Sequence, residues 1–496
     1  MSSNVKFFIA AGAAFAVLLV AMIFLLKDKE ETEAESSKSA ASTSVSDTAE
    51  TVYLNTFETA DIKTVVVDNA HDEFTVTQHT RTKTDSEGNQ TEEVYYVLDD
   101  YADILQDEGY LYTLANNLSC AEATIVEEAP ENLSEYGFDS EEAATVTLKT
   151  DSDEMTIIIG DKTPIGGVYV KYPDSDTVYS VKDTAVLYCK HKLFHFLSKT
   201  VLQEPSESEY PKIERVTVLR QDLDYEIVFE YDITGDYEDI VHGNTASHIM
   251  VSPINAYLDV MTSSDYTHGI FGLLANDIYK VYPTEDELTA CGFTDPYCSI
   301  LTETDIGDIV VFFGDTVEIE GATYRYGYMG GINIIYLFNE ENAPWLDMTP
   351  ASVISEMIIG TYIYDIGKLT VESTAGNFEF AGSGDSESYS VTLDGEQYDV
   401  EMFKTFYQFL IKAPADTVYI GDFDETELLC SIDIELQNDY DGVISGETLE
   451  FYSTDGRTAV IVHNGVPSFS CNISYVNALL DNIERVKNGE AIVSTY

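Results

Sequence analysis

Residues 133–183 read LSEYGFDSEEAATVTLKTDSDEMTIIIGDKTPIGGVYVKYPDSDTVYSVKD, and most of the chain can be read outward from this stretch. The run ENLSEYG predicts a short helical turn that ends with Gly137 in the left-handed conformation, where a residue without Cβ meets no steric penalty. Phe138 is then expected to drop into the core and aim the next strand. The isoleucines at 157–159 form a strand, and Gly160-Asp161 starts a turn into Lys162-Thr163-Pro164, which is ordinary turn chemistry. Further strands follow around Tyr169 and Tyr179. These positions read as folding determinants and not as catalysts.

The pattern recurs along the chain. LTACGF at 288–293 repeats LSEYGF, with Gly292-Phe293 placed 155 residues after Gly137-Phe138. VVFFGD at 310–315 answers IIIGDK at 157–162, and Tyr324 answers Tyr169 at the same 155. Three strand openings agree as well: IKTVVVD at Ile62, IERVTVL at Ile213 and IGKLTVE at Ile366. A fixed period of this length marks duplicated supersecondary units. Each unit is expected to run hairpin, amphipathic helix, short helical turn, about three strands and a closing helix. The amphipathic stripes are Ile104, Leu111, Leu114 and Leu118 in the first unit, and Phe403, Phe406 and Leu410 on Val400 to Lys412 in the third. Closing helices are expected at Thr184 to Lys199, at Pro350 to Ile359 behind a Thr349 cap, and at Tyr475 to Val486. The third unit has diverged and lacks the Gly-Phe pair.

Upstream lies FFIAAGAAFAVLLVAMIFLL, Phe7 to Leu26, twenty residues without a charge. A helix of that length rises about 30 Å and predicts one membrane span. The run exceeds a signal-peptide core and is followed at once by KDKEETE, a poor cleavage context, so an uncleaved anchor is expected. No Cys follows it to carry a lipid. Lys6 precedes the span and Lys27 and Lys29 follow it, so flanking charge does not orient it. The acidic, Lys-poor remainder places the large domain outside the cytoplasm. The expected organisation is therefore a tail at 1–6, a transmembrane helix at 7–26, a flexible acidic Ser/Thr-rich linker at 27–50, and units at 51–204, 205–362 and 363–496. The linker would span about 26 Å root-mean-square. The fold class is α+β, an N-terminal transmembrane helix followed by three repeated strand-rich α+β units.

Composition narrows function by exclusion. With 25 basic and 89 acidic side chains the formal net charge is −64, which repels nucleic-acid phosphate and anionic headgroups. The 34 Tyr and 23 Phe supply ample core and favour strands. Cys120, Cys189, Cys291, Cys298, Cys430 and Cys471 contain no CxxC pair, so free thiols, most of them buried, are expected; Cys291 and Cys298 are near enough in sequence to leave a bridge open.

Candidate chemistry is thin. His191 and His195, four apart on an expected helix, would share a face, but no HExxH supports a metal. Weak calcium binding has three acidic candidates: Asp151, Asp153 and Glu154; Asp232, Asp236 and Asp239; and Asp439 and Asp441 before Gly442. None completes a twelve-residue calcium loop, so solvated turns are the default. GSG at 382–384 lies in a polar hairpin turn, and no nucleophile elbow or phosphate loop is present. No catalytic, cofactor-binding or metal residue is therefore assigned.

The residues Leu133, Tyr136, Gly137, Gly160, Asp161, Lys162, Tyr169, Val170, Val178 and Tyr179 resemble, in order, the core of the domain-of-unknown-function family 4340. The similarity covers most of residues 62–200 and, more weakly, the second unit, where Tyr136 is replaced by Cys291 and Lys-Thr-Pro is lost. The resemblance implies a bacterial protein with an N-terminal anchor and no assigned activity. Some members resemble companions of ABC-type export systems related to gliding-motility components. The expected function is thus a non-enzymatic, membrane-anchored extracytoplasmic accessory or scaffold protein associated with an ABC-type transporter. The alternative is a binding module for an envelope glycan or small molecule, with Tyr324, Tyr326 and Tyr328 as a stacking platform. An enzyme would require carboxylates or a Ser-His pair converging between units.

Overall fold

Period-two burial builds the strands. In Ile213–Arg220 the residues Val216 and Val218 are fully buried between half-exposed neighbours, and Ile366–Ser373 buries Leu369 and Val371 in the same phase. The computed structural model describes residues 51–84, 88, 90–236, 243–421, 423, 427–438, 446–454 and 456–496. The expected transmembrane helix at 7–26 and linker at 27–50 lie outside the described residues, as do Asp239, Asp439, Asp441 and Gly442. Among the described residues no helix is long and apolar enough to cross a membrane.

The described chain is an α+β fold of three nine-stranded antiparallel sheets. The second sheet runs edge to edge as Ala256–Tyr257, His248–Ser252, Ile227–Tyr231, Ile213–Arg220, Cys298–Thr304, Ile309–Ile319, Ala322–Met329, Ile334–Phe338 and Asp277–Val281. In chain order that is fourth, third, second, first, sixth, seventh, eighth, ninth, fifth. The third sheet follows the same order, from Glu396–Gln397 through the central pair Ile366–Ser373 and Leu428–Leu436 to Thr417–Val418. The first sheet keeps it from Gln90–Val97 to Glu122–Glu127, lacks the short fourth strand and adds Thr51–Tyr53 at its far edge. One contiguous apolar core runs from Leu54 to Val486 through all three units.

Helices occupy the gap before the fifth strand. Asp107 caps Glu108–Leu118, which buries Leu111, Leu114, Ala115 and Leu118. Ile104 is buried but precedes the helix. Asp399 likewise caps Val400–Leu410, which buries Phe403, Phe406 and Leu410. The third closing helix runs Ile473–Asn488 and stops at Gly489.

The other two closing helices require correction. Thr184 to Lys199 is two 3₁₀ turns, Asp183–Lys190 and Leu193–Phe196. Their buried residues pair three apart, Val186 with Cys189 and Leu193 with Phe196, which is the 3₁₀ period. Side chains from elsewhere also take the backbone groups that a continuous helix would pair. Asn69 Nδ2 donates to the carbonyls of Cys189 and His191, and Asp72 Oδ2 accepts from the Leu193 amide. Pro350 to Ile359 is helical only over Pro350–Val353; beyond it Ile354 bridges to Leu258 and the Ser355 amide donates to the Tyr257 carbonyl.

The recurrent glycines have a steric cause. Gly137 and Gly292 are left-handed, with φ of 75° and 86°. A Cβ at Gly160 would stand 2.1 Å from the Tyr136 carbonyl oxygen, and one at Gly314 would stand 2.0 Å from that of Cys291. In both units the turn carbonyl therefore rests directly on the strand glycine. Phe138 and Phe293 cover these glycines and are half-buried. Phe138 was expected to drop into the core, but neither ring enters the main core. Phe293 joins Cys291, Tyr326, Ile335 and Leu337 in a separate small cluster.

Candidate ligand cavity at the junction of the second and third units

The segment joining the second and third sheets is held, shortly before the third sheet begins, by a buried carboxylate. Glu447 opens the strand Glu447–Ser453 in the same phase as buried Leu449 and Phe451, so the sheet carries its side chain inward. There it accepts hydrogen bonds from the Tyr257 hydroxyl at 2.8 Å, the Gly360 amide at 3.0 Å, the Thr361 amide at 2.7 Å and the Thr361 hydroxyl. His463 Nε2 lies 3.5 Å from the carboxylate, and its Nδ1 lies 3.0 Å from the Asn255 carbonyl oxygen. Burial alone would raise the Glu447 carboxyl, but His463, the Thr361 hydroxyl and the Gly360 amide outweigh it and hold the group at about 2. Tyr407 completes the pin by donating to the Thr361 carbonyl at 2.5 Å. Tyr257 and Asn255 belong to the second unit and Glu447, His463 and Tyr407 to the third, so this network fixes one against the other.

Beside the pinned segment lies a cavity of about 880 Å³, within the usual range for small-molecule sites. Its walls are the Glu356–Tyr364 stretch, the outer side of the Val400–Leu410 helix, residues 411–416 and Tyr496. Four tyrosines line it: Tyr362, Tyr364, Tyr407 and Tyr496. Tyr496 is set edge-on to Tyr475 at 5.1 Å, and its segment is strapped by two hydrogen bonds between the Asn482 amide and the Val493 backbone. Among the polar groups, Lys404 is paired with Glu401 at 3.0 Å and stands 5.7 Å over the Tyr364 ring. Lys412 has no ion pair among the described residues and is exposed. Asp416 accepts from the Asn472 amide at 2.9 Å, and Glu356 and Gln408 are exposed. Aromatic faces, donors and acceptors thus meet in one place, which is equipment for binding.

The sequence-based candidates fall elsewhere. His191 and His195 stack with ring centroids 4.3 Å apart and planes at 21°; His191 follows the first 3₁₀ turn and His195 lies within the second, so they do not share an α-helix face. Stacked imidazoles present faces to each other, and no group of three His, Cys, Asp or Glu among the described residues is placed to hold a metal. Asp153 accepts from the Ser152 hydroxyl and Glu154 pairs with Lys149. Asp232 accepts from Thr234, and Asp236 accepts from Tyr231 and Lys212. Tyr326 is buried and Tyr324 and Tyr328 are half-buried in the small cluster, so they form no open platform. All six cysteines are free; Cys291 sits in the small cluster and Cys298 in the main core, so they do not bridge. A Ser-His contact exists, Ser247 Oγ to His248 Nδ1 at 2.9 Å. His248 Nε2 is engaged by the Ile213 carbonyl at 3.1 Å, and burial with nearby His268 lowers this histidine to about 4, so it stays neutral and structural at pH 7.

The cavity was missed because its parts are scattered across the sequence. One signal was available: Glu447 in ETLEFYS and His463 in AVIVH stand on the apolar phase of their strands, where an ionisable residue needs a buried partner.

Residues 97–296 match a family model described as Domain of unknown function (DUF4340). The match runs from the end of the first unit's third strand to the turn after Glu285–Ala290 in the second, and so includes both Gly-Phe turns. No curated protein matches the chain, and no solved structure matches it.

Proposed function

We propose that this chain, which carries the domain of unknown function 4340 over residues 97–296, is a non-enzymatic, single-pass membrane protein. Its three units lie outside the cytoplasm and present a surface to a partner in the cell envelope, an ABC-type transporter in the first instance. The observation that carries this reading is the repetition of one strand order in three sheets fused through a single core. Duplicated units with divergent loops build an extended contact surface more readily than one reactive centre. The buried Glu447–His463 pin supports it further, since a surface made by two units serves recognition only if the units keep their relative position. The Phe7 to Leu26 run supplies the anchor and the acidic composition suits an exposed, soluble body.

The test is crosslinking in native membranes followed by affinity purification of the tagged full-length chain and mass spectrometry. Transporter subunits recovered in near-equal amounts, and lost on deletion of residues 51–496, are the expected result. Recovery of background alone refutes the scaffold role.

A further inference from the structure

We infer that the cavity between the second and third units is a carbohydrate site, taking an uncharged saccharide whose rings stack on Tyr362 and Tyr496 while Lys412, Gln408 and Asp416 bond its hydroxyls. Such a site is compatible with the scaffold role and does not depend on it.

Charge selects the ligand class. The chain carries 89 acidic and 25 basic side chains, yet the cavity is lined by two of each, Glu356 and Asp416 against Lys404 and Lys412. A cation is drawn by the field of the chain but meets Lys404 and Lys412 in the lining itself, which gives it no net attraction at the site. An anion must enter against the field of a chain with a formal charge of −64. An uncharged molecule is indifferent to both. The lining supplies donors (Lys412 Nζ and the Gln408 amide) next to acceptors (Asp416 and Glu356), and a hydroxyl is the group that uses both.

The aromatic surface fits the same class. Tyr362 is 48% exposed and Tyr496 58% exposed, so each leaves ring area open at the cavity. Pyranose rings offer an apolar C–H face flanked by hydroxyls, which matches an aromatic ring bordered by polar side chains. Lys412 is the more available of the two lysines, because Lys404 is held by Glu401. The back wall is fixed in advance: Gly360 and Thr361 hang on Glu447, and Tyr407 is bonded to Thr361. A wall that need not reorganise keeps the cost of binding low.

The experiment is saturation-transfer NMR on the full-length chain in a detergent without a sugar headgroup. The probes are N,N′,N″-triacetylchitotriose, cellotriose and maltotriose, all uncharged, with 2-naphthoate as a charged aromatic control. Transfer to ring C–H protons of at least one trisaccharide is expected, weakened about tenfold by Tyr362→Ala and measurably by Lys412→Gln. Both substituted residues are exposed, and unchanged Trp345 emission will confirm folding. No transfer from any trisaccharide at millimolar concentration overturns the proposal, as does transfer that neither substitution affects. Binding of 2-naphthoate that is lost in Lys412→Gln, with no sugar binding, also overturns it and makes the cavity an anion site.

Discussion

Replacing Glu447 by Gln preserves the size of the side chain and removes its charge from the middle of the unit junction. The wild-type carboxyl is held at about 2 against an ordinary value of 4.5. At about 1.4 kcal/mol per pKa unit, that depression corresponds to roughly 3 kcal/mol of folding free energy. Because the folded value is depressed, the contribution is fully present above about pH 4.5 and is lost as pH falls through about 2. The glutamine also turns an N–H₂ toward donors such as the Thr361 and Gly360 amides, which leaves bonds unmade. Urea unfolding of the full-length chain, read by the fluorescence of Trp345, measures the effect; it is the only tryptophan and is buried in the second unit. Glu447→Gln is expected to be less stable by roughly 3 kcal/mol at pH 7, with the gap shrinking to about a third or less near pH 2.5. The other acidic groups titrate alike in both proteins and cancel in the comparison. Equal stability at pH 7, or a gap that stays constant down to pH 2.5, would refute the assignment of Glu447 as a charged pin.

Three further outcomes follow from other parts of the fold. Gly160→Ala places a Cβ 2.1 Å from the Tyr136 carbonyl oxygen and should cost roughly 2–3 kcal/mol by calorimetry, with Gly314→Ala matching it in the second unit. An effect under about 0.5 kcal/mol at both sites would show that the turn moves aside freely. Burial lowers both His191 and His195, so the pair stabilises the neutral-pH fold and loses that contribution as pH falls below the ordinary histidine value of 6.5. A melting series should therefore show the double variant His191→Phe, His195→Phe gaining on wild type at pH 5 relative to pH 7.5, and parallel curves would count against it. Cys120 is the exposed cysteine while the other five are buried, so a membrane-impermeant maleimide added to intact cells should label wild type and not Cys120→Ser. Labelling only after lysis would place the units in the cytoplasm.

Much of the fold was legible because it is written locally. The openings at Ile62, Ile213 and Ile366 all begin strands or lie within two residues of one, and the stripes Leu111, Leu114, Leu118 and Phe403, Phe406, Leu410 all face the core. Period and spacing report such features without knowledge of the partners. The closing segments at Thr184 and Pro350 were misread because Asn69, Asp72 and Tyr257, distant in sequence, take backbone groups that a helix would have paired internally. Phe138 was misplaced because a sheet has two apolar-capable faces, and periodicity does not say which one a flanking turn will cover.

The repeat, the strand-rich units, the apolar Phe7 to Leu26 run and the likeness to the family can all be read along the chain, since each depends on neighbours in it. Folding in three dimensions is what brings Glu447 to Tyr257 and Thr361 and gathers Tyr362, Lys412 and Tyr496 around one cavity. Those contacts join residues separated by as many as 190 positions, and they exist because two sheets share a core, a condition that no local pattern records.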